Sequence, residues 1–506
     1  MHADSFNEIL ADHARRAPYL LASCLLHVII GFVLASVMLL TRKQVEVPVL
    51  TVDAPLPLAL VDDPPPPPPP VTPTLVEDPR LVDAPLDADP TDFVDAGDPN
   101  MLNDSPFDSF TEGWNVLGVG GPPGGNHGGP AGGGGRRPEP MEQALGDALQ
   151  WLADHQSPQG HWDADAFMLY DRYPEHAPST GVGNPVVDVG LTGLSLLAFL
   201  GDGSTTNSGR HRERVARGVD WLRGVQREDG VFGEEVGNPT LYNQAIATLA
   251  LCEAYRLGGR SIALKRPAER AVSVLVRARN PYAAWRYSLE PNGDSDTSIT
   301  GWMVFALKSA REGGLAVDKG CFDGAAAWFD SISDPGSGRT GYAWSEGGGA
   351  GSWPSRPIGK QERFPAEQSE SLTAVALLCR IFMTDASDLK RWEDHPRYAE
   401  LRKQADLIRA KPPRWDDERG NLDFYYWYYA TYALNQWGGT AWKEWEKALG
   451  RALLPTQRRS AKPDNFYGSW DPVDAWGEEG GRVYSTALCA LMLEVYYRYA
   501  QVLGGK

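Results

Sequence analysis

Gln156-Ser-Pro-Gln-Gly160-His-Trp162 ends an amphipathic stretch that begins at Met141, and the apolar stretch DVGLTGLSLLAFLGDG follows from Asp188. The same order returns in RHRERVARGVDWLRGVQREDGVFGEE, from Arg210, and YNQAIATLALCEAYRL, from Tyr242. A recurring pair of helices indicates a repeat architecture, because one pair cannot bury its apolar faces alone. The recurrence predicts stacked helical hairpins, with any functional site at the centre or on one rim.

Amphipathic and apolar stretches alternate six times from residue 139 onward. The predicted outer helices are amphipathic and span 141–155, 210–226, 264–279, 319–332, 396–410 and 440–454. The predicted inner helices are apolar nearly all round and span 188–200, 242–257, 297–312, 369–384, 423–437 and 483–501. A helix that is apolar on every side must be buried. We therefore expect residues 139–506 to form an all-α domain, a two-layered α6/α6 toroid of six helical hairpins.

The turn after an outer helix carries a Gln-x-x-x-Gly-x-aromatic motif. Its two clear copies are Gln156, Gly160 and Trp162, and Gln226, Gly230 and Phe232. Later copies decay to Trp285, Gly341-Tyr-Ala-Trp344 and Gly468-Ser-Trp470. Glycine permits a tight helix exit, and we expect the aromatic ring to stack on the next outer helix while glutamine bonds the neighbouring backbone. The motif specifies fold rather than chemistry.

This motif resembles the Gln/Trp repeat of squalene–hopene cyclases and related triterpene cyclases. The chain is still more similar to bacterial prenyltransferase and squalene-oxidase repeat proteins, of the terpenoid cyclase/protein prenyltransferase superfamily. The segments that carry this similarity are YNQAIATLA from Tyr242, DTSITGW from Asp296 and GRVYSTAL from Gly481. The resemblance covers nearly all of residues 141–500. It implies the toroid fold but says little about activity.

Triterpene cyclases of this family protonate an alkene or epoxide with Asp-x-Asp-Asp. At the matching place this chain has Asp294-Ser295-Asp296-Thr297, so either register lacks one group that the chemistry needs. Asp294 and Asp296 are therefore candidate catalytic residues, and the alternative is that Asp296 or Thr297 caps the helix 297–312. Protein prenyltransferases bind zinc through Asp, Cys and His, but Ser298 stands where their pattern has Cys. We predict no metal site and no cofactor.

The inner helices begin with polar residues, and helix N-termini converge on one mouth of such a ring. These residues are Asp188, Asn243, Gln244, Asp296, Glu370, Asp423 and Arg482. Asp296, Glu370 and Arg482 are the strongest catalytic candidates, and the rim can add His161, His176 and Trp162. For most of the ring, helix capping is the alternative.

Aromatic residues at helical spacing form a further set of candidates. Tyr425, Tyr428, Tyr429 and Tyr432 could stabilise a carbocation by cation–π contact, and the same spacing is typical of core packing. The candidate cavity or ligand-binding residues are Asp188, Asn243, Gln244, Trp302, Tyr425 and Tyr429.

The N-terminal part of the chain predicts a membrane anchor. Residues 17–41, after a tail of residues 1–16, carry no formal charge and are long enough to cross the apolar core of a bilayer, about 30 Å. Ser23 and His27 share one face of this predicted transmembrane helix, and an intramembrane histidine suggests a function. Ser-x-x-x-His before a Pro-rich spacer resembles TonB-type energy transducers, and the alternative is a neutral histidine bonded within its own helix.

Residues 42–138 have the composition of an extended, disordered tether. Residues 44–115 contain 15 acidic residues and one basic residue, Arg80, and therefore have a net charge of −14. The chain's net charge is −18, so the remaining residues have a net charge of only about −4. Seven consecutive prolines favour a polyproline II rod, and residues 116–138 are a Gly-rich linker. No basic stripe of the kind that nucleic-acid binding needs is present, so nucleic acid is not an expected partner.

These features predict a single-pass protein of the cell inner membrane with its toroid on the exported, periplasmic side. The first hypothesis is a binding or scaffolding module without triterpene cyclase activity. The second is an enzyme that acts on an isoprenoid or a polysaccharide through the polar ring. The expected partners are the membrane, an isoprenoid or glycan ligand, and a protein bound through the Pro-rich tether or the transmembrane helix.

Overall fold

The computed structural model describes residues 139–281, 283–345, 348–385, 389–416, 422–498 and 502–503. Within these ranges, no helix combines the length and the hydropathy needed to span a bilayer. The predicted membrane helix with Ser23 and His27, and the tether, lie outside them and stay predictions.

Outer and inner helices alternate along the described chain. The outer helices are α1 (Glu139–Asp154), α3 (Arg212–Val225), α5 (Ile262–Arg277), α7 (Lys319–Ile332), α9 (Tyr398–Arg409) and α11 (Gly439–Leu453). The inner helices are α2 (Asp188–Gly201), α4 (Pro239–Leu257), α6 (Thr297–Glu312), α8 (Ser371–Met383), α10 (Phe424–Trp437) and α12 (Gly477–Leu493), and a short α13 (Val495–Arg498) follows.

The six inner helices form a closed ring. Each packs against the next inner helix along the chain, and α12 packs against α2. Every outer helix packs against at least one inner helix, and most contact two. The apolar residues of the inner helices are buried between the layers. The all-α toroid expected from the sequence is therefore present in this part of the molecule.

The first motif turn shows how one hairpin is fastened to the next. Gly160 has a φ of +108°, and a Cβ there would lie 2.3 Å from the carbonyl oxygen of Arg217 in α3. Gln156 donates from Nε2 to the carbonyl of Gly160 at 2.7 Å and accepts from Nη2 of Arg217 at 3.0 Å. The buried indole of Trp162 donates to the carbonyl of Leu152 at 2.7 Å, on the helix that it follows. This turn is held by side-chain contacts with no room for a larger residue at the glycine.

The same fastening recurs around the ring. Nε2 of Gln226 donates to the carbonyl of Pro267 in α5 at 3.0 Å. After α11, Nε2 of Gln457 donates to the carbonyl of Ala144 in α1 at 2.7 Å. The second bond joins the last hairpin to the first, so the motif also closes the ring.

The last inner helix differs from the prediction of 483–501. It begins at Gly477, bends at Gly481, where φ is +66°, and ends at Leu493. A Cβ at Gly481 would lie 2.6 Å from the backbone nitrogen of Gly183, in the segment before α2. The extra turn and its bend place the backbone against that segment, a tertiary contact that hydrophobic periodicity does not report.

Candidate functional site

The N-terminal ends of neighbouring inner helices contact one another at one end of the ring, called the mouth below. Asn243 of α4 accepts from the backbone N–H of Gly190 in α2 at 3.1 Å. Ser369, just before α8, donates to the Asp423 carboxylate, just before α10, at 2.9 Å. The predicted polar residues are therefore neighbours at the mouth, and their partners decide what each can do.

Asp296 is fully buried and caps α6. One carboxylate oxygen accepts from the backbone N–H of Ser298 at 2.6 Å and from that of Ile299 at 3.3 Å, and the other accepts from the Tyr287 hydroxyl, which also bonds the Tyr342 hydroxyl. Burial raises the pKa of Asp296, and the hydrogen bonds oppose that rise. A carboxyl enclosed by these donors has no face that reaches solvent.

Asp294 lies apart from this arrangement. Its side chain is 32% exposed and forms an ion pair with Arg286 at 2.8 Å. Asp294 and Asp296 therefore do not share one proton-donating cluster, as clustered cyclase carboxylates would.

Glu370, at the start of α8, is compensated by two cations. Its carboxylate accepts from Arg339 at 3.0–3.2 Å and from Nζ of Lys411 at 2.8 Å, and its side chain is 1% exposed. The Trp353 ring covers both cations, 3.8 Å from the Arg339 guanidinium carbon and 4.5 Å from the Lys411 nitrogen. The Glu370 carboxylate therefore ties the loops of Arg339 and Lys411 to the start of α8.

Asp423 and Asp474 form a buried pair of carboxyl groups at the start of α10. Asp423 pairs with Arg356 at 2.7 Å, whereas Asp474 accepts from the backbone N–H of Phe424 at 3.1 Å. Burial, together with the nearby Asp423 charge, raises the pKa of Asp474 to about 8. At neutral pH Asp474 is therefore mostly protonated, beside the ion pair of Asp423 and Arg356.

Arg482, the candidate on α12, is tied to the loops beside it. Its guanidinium donates to the carbonyl of Thr180 at 2.6 Å, to Ser469 at 2.9 Å and to Asp471 at 2.6 Å. These bonds join the first and last hairpins at the mouth and account for all three of its nitrogens.

Asn243 joins α4 to the previous hairpin, and Gln244 ties α4 to the turn that precedes it. Asn243 donates to the carbonyl of Val186 at 2.7 Å, and Gln244 accepts from the backbone N–H of Phe232 at 3.0 Å and donates to the carbonyl of Gly230 at 3.1 Å. Both amides are therefore engaged with backbone groups.

A third group of titratable residues lies where the first motif turn meets α2. One ligand atom each from His161, Asp163 and Asp188 lies within 4.8 Å of the others. Burial, together with the nearby charges of Asp163 and Asp165, raises the pKa of Asp188 to about 7. His176, the other histidine predicted for the rim, is outside this group and lies 3.9 Å from Glu175.

Aromatic side chains occupy the interior of the ring below the mouth. Trp302 of α6 stacks on Tyr428 of α10 with ring centroids 5.5 Å apart, and Tyr429 meets Trp302 edge-on at 5.5 Å. Since α8 separates these two helices in the ring, the rings meet across the lumen. Trp302, Tyr428 and Tyr429 are at most 3% exposed, so these rings are packed against one another with almost no contact with solvent. Tyr425 lies nearer the mouth, is half-buried and donates to the Ser298 carbonyl at 3.0 Å.

The segment between α7 and α8 adds exposed apolar side chains beside the mouth. Trp344 is 55% exposed and Trp353 is 38% exposed. Trp344 follows Ala343, which pairs with the backbone of Asp296, and Trp353 covers the cations that hold Glu370. These tryptophans form an aromatic edge of the mouth.

Sequence reasoning missed several groups of the site. Arg339, Arg356 and Asp474 lie in loops without hydrophobic periodicity, so no pattern marks them. His161 and Asp163 lie two positions apart beside a motif glycine, so their closeness could be inferred from the sequence. Asp188 joins this group only in the folded protein.

Comparison with known proteins gives similarity in structure only. No protein-family profile matches the chain, and no curated protein is significantly similar to it in sequence. An α-amylase from Clostridium perfringens is 10% identical with a TM-score of 0.44, and the match covers 70% of this chain and 98% of that one. The unsaturated glucuronyl hydrolase of Bacillus sp. GL1 is 13% identical with a TM-score of 0.47, over 71% and 99%. A type II terpene cyclase from Scytonema is 14% identical with a TM-score of 0.42, over 70% and 97%. At such identities the likeness concerns the fold alone.

Proposed function

We propose that the toroid is a binding module that takes a glycan at its mouth and that has no triterpene cyclase activity. In the full chain the N-terminal span would anchor this module in the inner membrane, and the tether would present it on the exported side. The observation that carries the proposal is the close-packed layer of aromatic rings in the lumen, below an exposed aromatic edge.

The filled lumen argues against an isoprenoid substrate. Pockets for small ligands commonly have volumes of about 300–1,000 Å³. Trp302 and Tyr428 instead stack across the ring with almost no exposure. An isoprenoid chain could enter at that level only by displacing close-packed rings.

The state of the candidate acids supports the same conclusion. Protonating an alkene needs a carboxyl group whose proton faces the substrate. Asp296 is enclosed by its cap and by Tyr287, and Glu370 is compensated by two cations. Neither group is presented to a ligand.

The aromatic edge favours a glycan. Indole rings combine a large apolar face with a polar N–H, and such a face stacks on the C–H side of a sugar ring. Trp344 and Trp353 offer exposed rings, and the charged groups beside them can bond hydroxyls.

The test is co-sedimentation of the full-length, detergent-solubilised protein with chitin, cellulose and peptidoglycan. We expect saturable binding to at least one of them, weakened about tenfold or more by Trp353→Ala or Trp344→Ala, as for aromatic binding hot spots. Ile262→Ala is the matched control, because Ile262 is 87% exposed at the N-terminus of an outer helix, away from the mouth. Binding to none of the three polymers, or equal binding by the tryptophan variants, would overturn the proposal.

A second candidate function is polysaccharide cleavage, and the Asp423–Asp474 pair favours it. A carboxyl group that burial keeps protonated at neutral pH, beside a second carboxyl group, is a feature that general acid–base catalysis uses. The assay is release of new reducing ends from a bound polymer, and the variant is Asp474→Asn. Loss of release with retained binding would support cleavage, whereas an unchanged polymer with the wild-type protein would reject it.

A further inference from the structure

His161, Asp163 and Asp188 come from two segments that the fold brings together. His161 and Asp163 follow the motif glycine after α1, and Asp188 is the first residue of α2. One nitrogen and two carboxylate oxygens lie within 4.8 Å of one another. The side chains of His161 and Asp163 are 17% and 19% exposed, so a small ion can reach the group from solvent while the protein shelters it.

One oxygen of each carboxylate is fixed by the backbone. An oxygen of Asp163 accepts from the N–H groups of Asp165 at 3.0 Å and Ala166 at 2.7 Å. An oxygen of Asp188 accepts from the N–H of Ala164 at 2.8 Å. These bonds fix the orientation of both carboxyl groups toward His161.

The imidazole of His161 is also held in place. Its Nδ1 bonds the Ser157 hydroxyl at 2.8 Å, and its ring stacks on Trp221 with centroids 4.8 Å apart. A bond to the second ring nitrogen is the usual way in which a metal-binding histidine is oriented. The other ring nitrogen, Nε2, faces Asp163.

Within the described ranges, the three groups are not neutralised by any other cation. Nε2 of His161 lies 3.6 Å from the nearer oxygen of Asp163, at ion-pair distance. Among the described residues, none of Asp163, Asp165 and Asp188 forms an ion pair with a lysine or arginine. The group therefore brings one imidazole and two carboxyl groups together without a lysine or arginine paired with them in this part of the molecule.

We propose that His161, Asp163 and Asp188 bind a divalent first-row transition-metal ion of the Zn²⁺ or Mn²⁺ type. One imidazole and two carboxylates make a ligand set suited to such ions, with the remaining positions open to water. An imidazole ligand favours these ions over Mg²⁺ and Ca²⁺, which prefer oxygen. The site is independent of the proposed glycan binding, since the aromatic edge lies on another hairpin.

The experiment uses the full-length protein, stripped with a chelator and titrated with Zn²⁺, Mn²⁺ or Mg²⁺ by calorimetry, with metal content measured after dialysis. We expect about one Zn²⁺ per chain at this site and a marked preference for Zn²⁺ over Mg²⁺. Asp188→Asn and His161→Gln should each weaken Zn²⁺ binding by about tenfold or more, at least the loss known for second-shell changes. His176→Gln is the matched control, because His176 is an exposed histidine outside the group.

Folding is checked separately. Asp188→Asn keeps an oxygen that can accept from Ala164, so the metal-free variant should retain the circular dichroism spectrum of the wild type. Absence of stoichiometric Zn²⁺, equal binding of Mg²⁺, or unchanged Zn²⁺ binding in both folded variants would overturn the proposal.

Discussion

The turns after α1 and after α7 leave equivalent outer helices, but different residues occupy the aromatic position of the motif. After α1 this residue is the buried Trp162, whose backbone N–H bonds Thr192. After α7 it is Thr340, whose backbone N–H bonds Thr373 in the same way, so the sequence assignment of Trp344 to this position was wrong, and Trp344 is 55% exposed four residues further on. After α1, Gln156 in the turn bonds Arg217 of α3. After α7, the bond between turn and helix is donated from the helix side, because Gln404 of α9 donates to the carbonyl of Gly338 at 3.3 Å. Where the motif is intact the turn is part of the core, and where it has decayed the segment is free to present side chains at the mouth.

The largest expected effect separates the two tryptophan environments. Trp162→Ala removes a buried ring and its bond to Leu152, and we expect it to lower the free energy of unfolding by about 3–5 kcal/mol. Chemical denaturation of the full-length protein measures this change. A loss below about 1 kcal/mol would show that the motif turn is not part of the core.

The stability contributed by the mouth should depend on pH, because the mouth contains the buried Asp474. Burial holds the pKa of Asp474 at about 8, above its ordinary value of 3.8, so the folded state binds a proton more tightly than the unfolded state. This contribution to stability is present at low pH and is lost as pH rises toward 8. Since one pKa unit is worth about 1.4 kcal/mol, the loss is on the order of a few kcal/mol.

Asp474→Asn tests this titration. Its amide oxygen can still accept from Phe424, but it carries no charge at any pH. We expect the variant to lose less stability than the wild type between pH 5 and pH 8, measured as the denaturation midpoint. Parallel pH curves for the two proteins would contradict the assignment.

The glutamine tie should have a smaller effect. Gln156→Ala removes the donor to Gly160 and leaves buried polar groups unpaired, at a cost of about 1–3 kcal/mol. Gln150→Ala is the matched control, because Gln150 lies on α1 but bonds only side chains, Asp154 at 2.9 Å and Arg210 at 3.5 Å. Its thermal midpoint should stay close to that of the wild type, and equal losses in the two variants would remove the special role of the motif glutamine.

The smallest stability effect is expected at the aromatic edge. Trp353→Ala removes a ring that is 38% exposed, so the free energy of unfolding should change by less than about 1 kcal/mol. The same variant should lose glycan binding. A large loss of stability would mean that Trp353 holds Arg339 and Lys411 in place for folding rather than for a ligand.

The helices of the toroid could be predicted from sequence because burial repeats with the helical period. The outer stretch 319–332 coincides with α7, and the inner stretch 297–312 with α6. The structural role of the motif Gln, Gly and Trp could also be predicted, because their bonds lie within one turn or reach the neighbouring helix.

The chemistry of the mouth could not be predicted in the same way. Glu370 pairs with Arg339 and Lys411, which are 31 and 41 residues away in sequence. Asp423 pairs with Arg356, which is 67 residues away. The cations of these pairs lie in loops, where no period limits which residues meet. The polar residues at the helix starts could therefore be predicted from the sequence, but the residues that pair with them could be identified only in the folded structure.

Closure of the ring also has a consequence for the order in which the chain folds during synthesis. α1 packs against α12, and Gln457 bonds Ala144 across 313 positions of sequence. The apolar face of α1, with Leu145 and Leu149, therefore leaves the ribosome long before its partner exists. Contacts so distant in sequence form slowly, and exposed apolar surface invites aggregation in the meantime. We expect nascent chains that end before α12 to depend on chaperones and to be sensitive to proteases until the last hairpin docks.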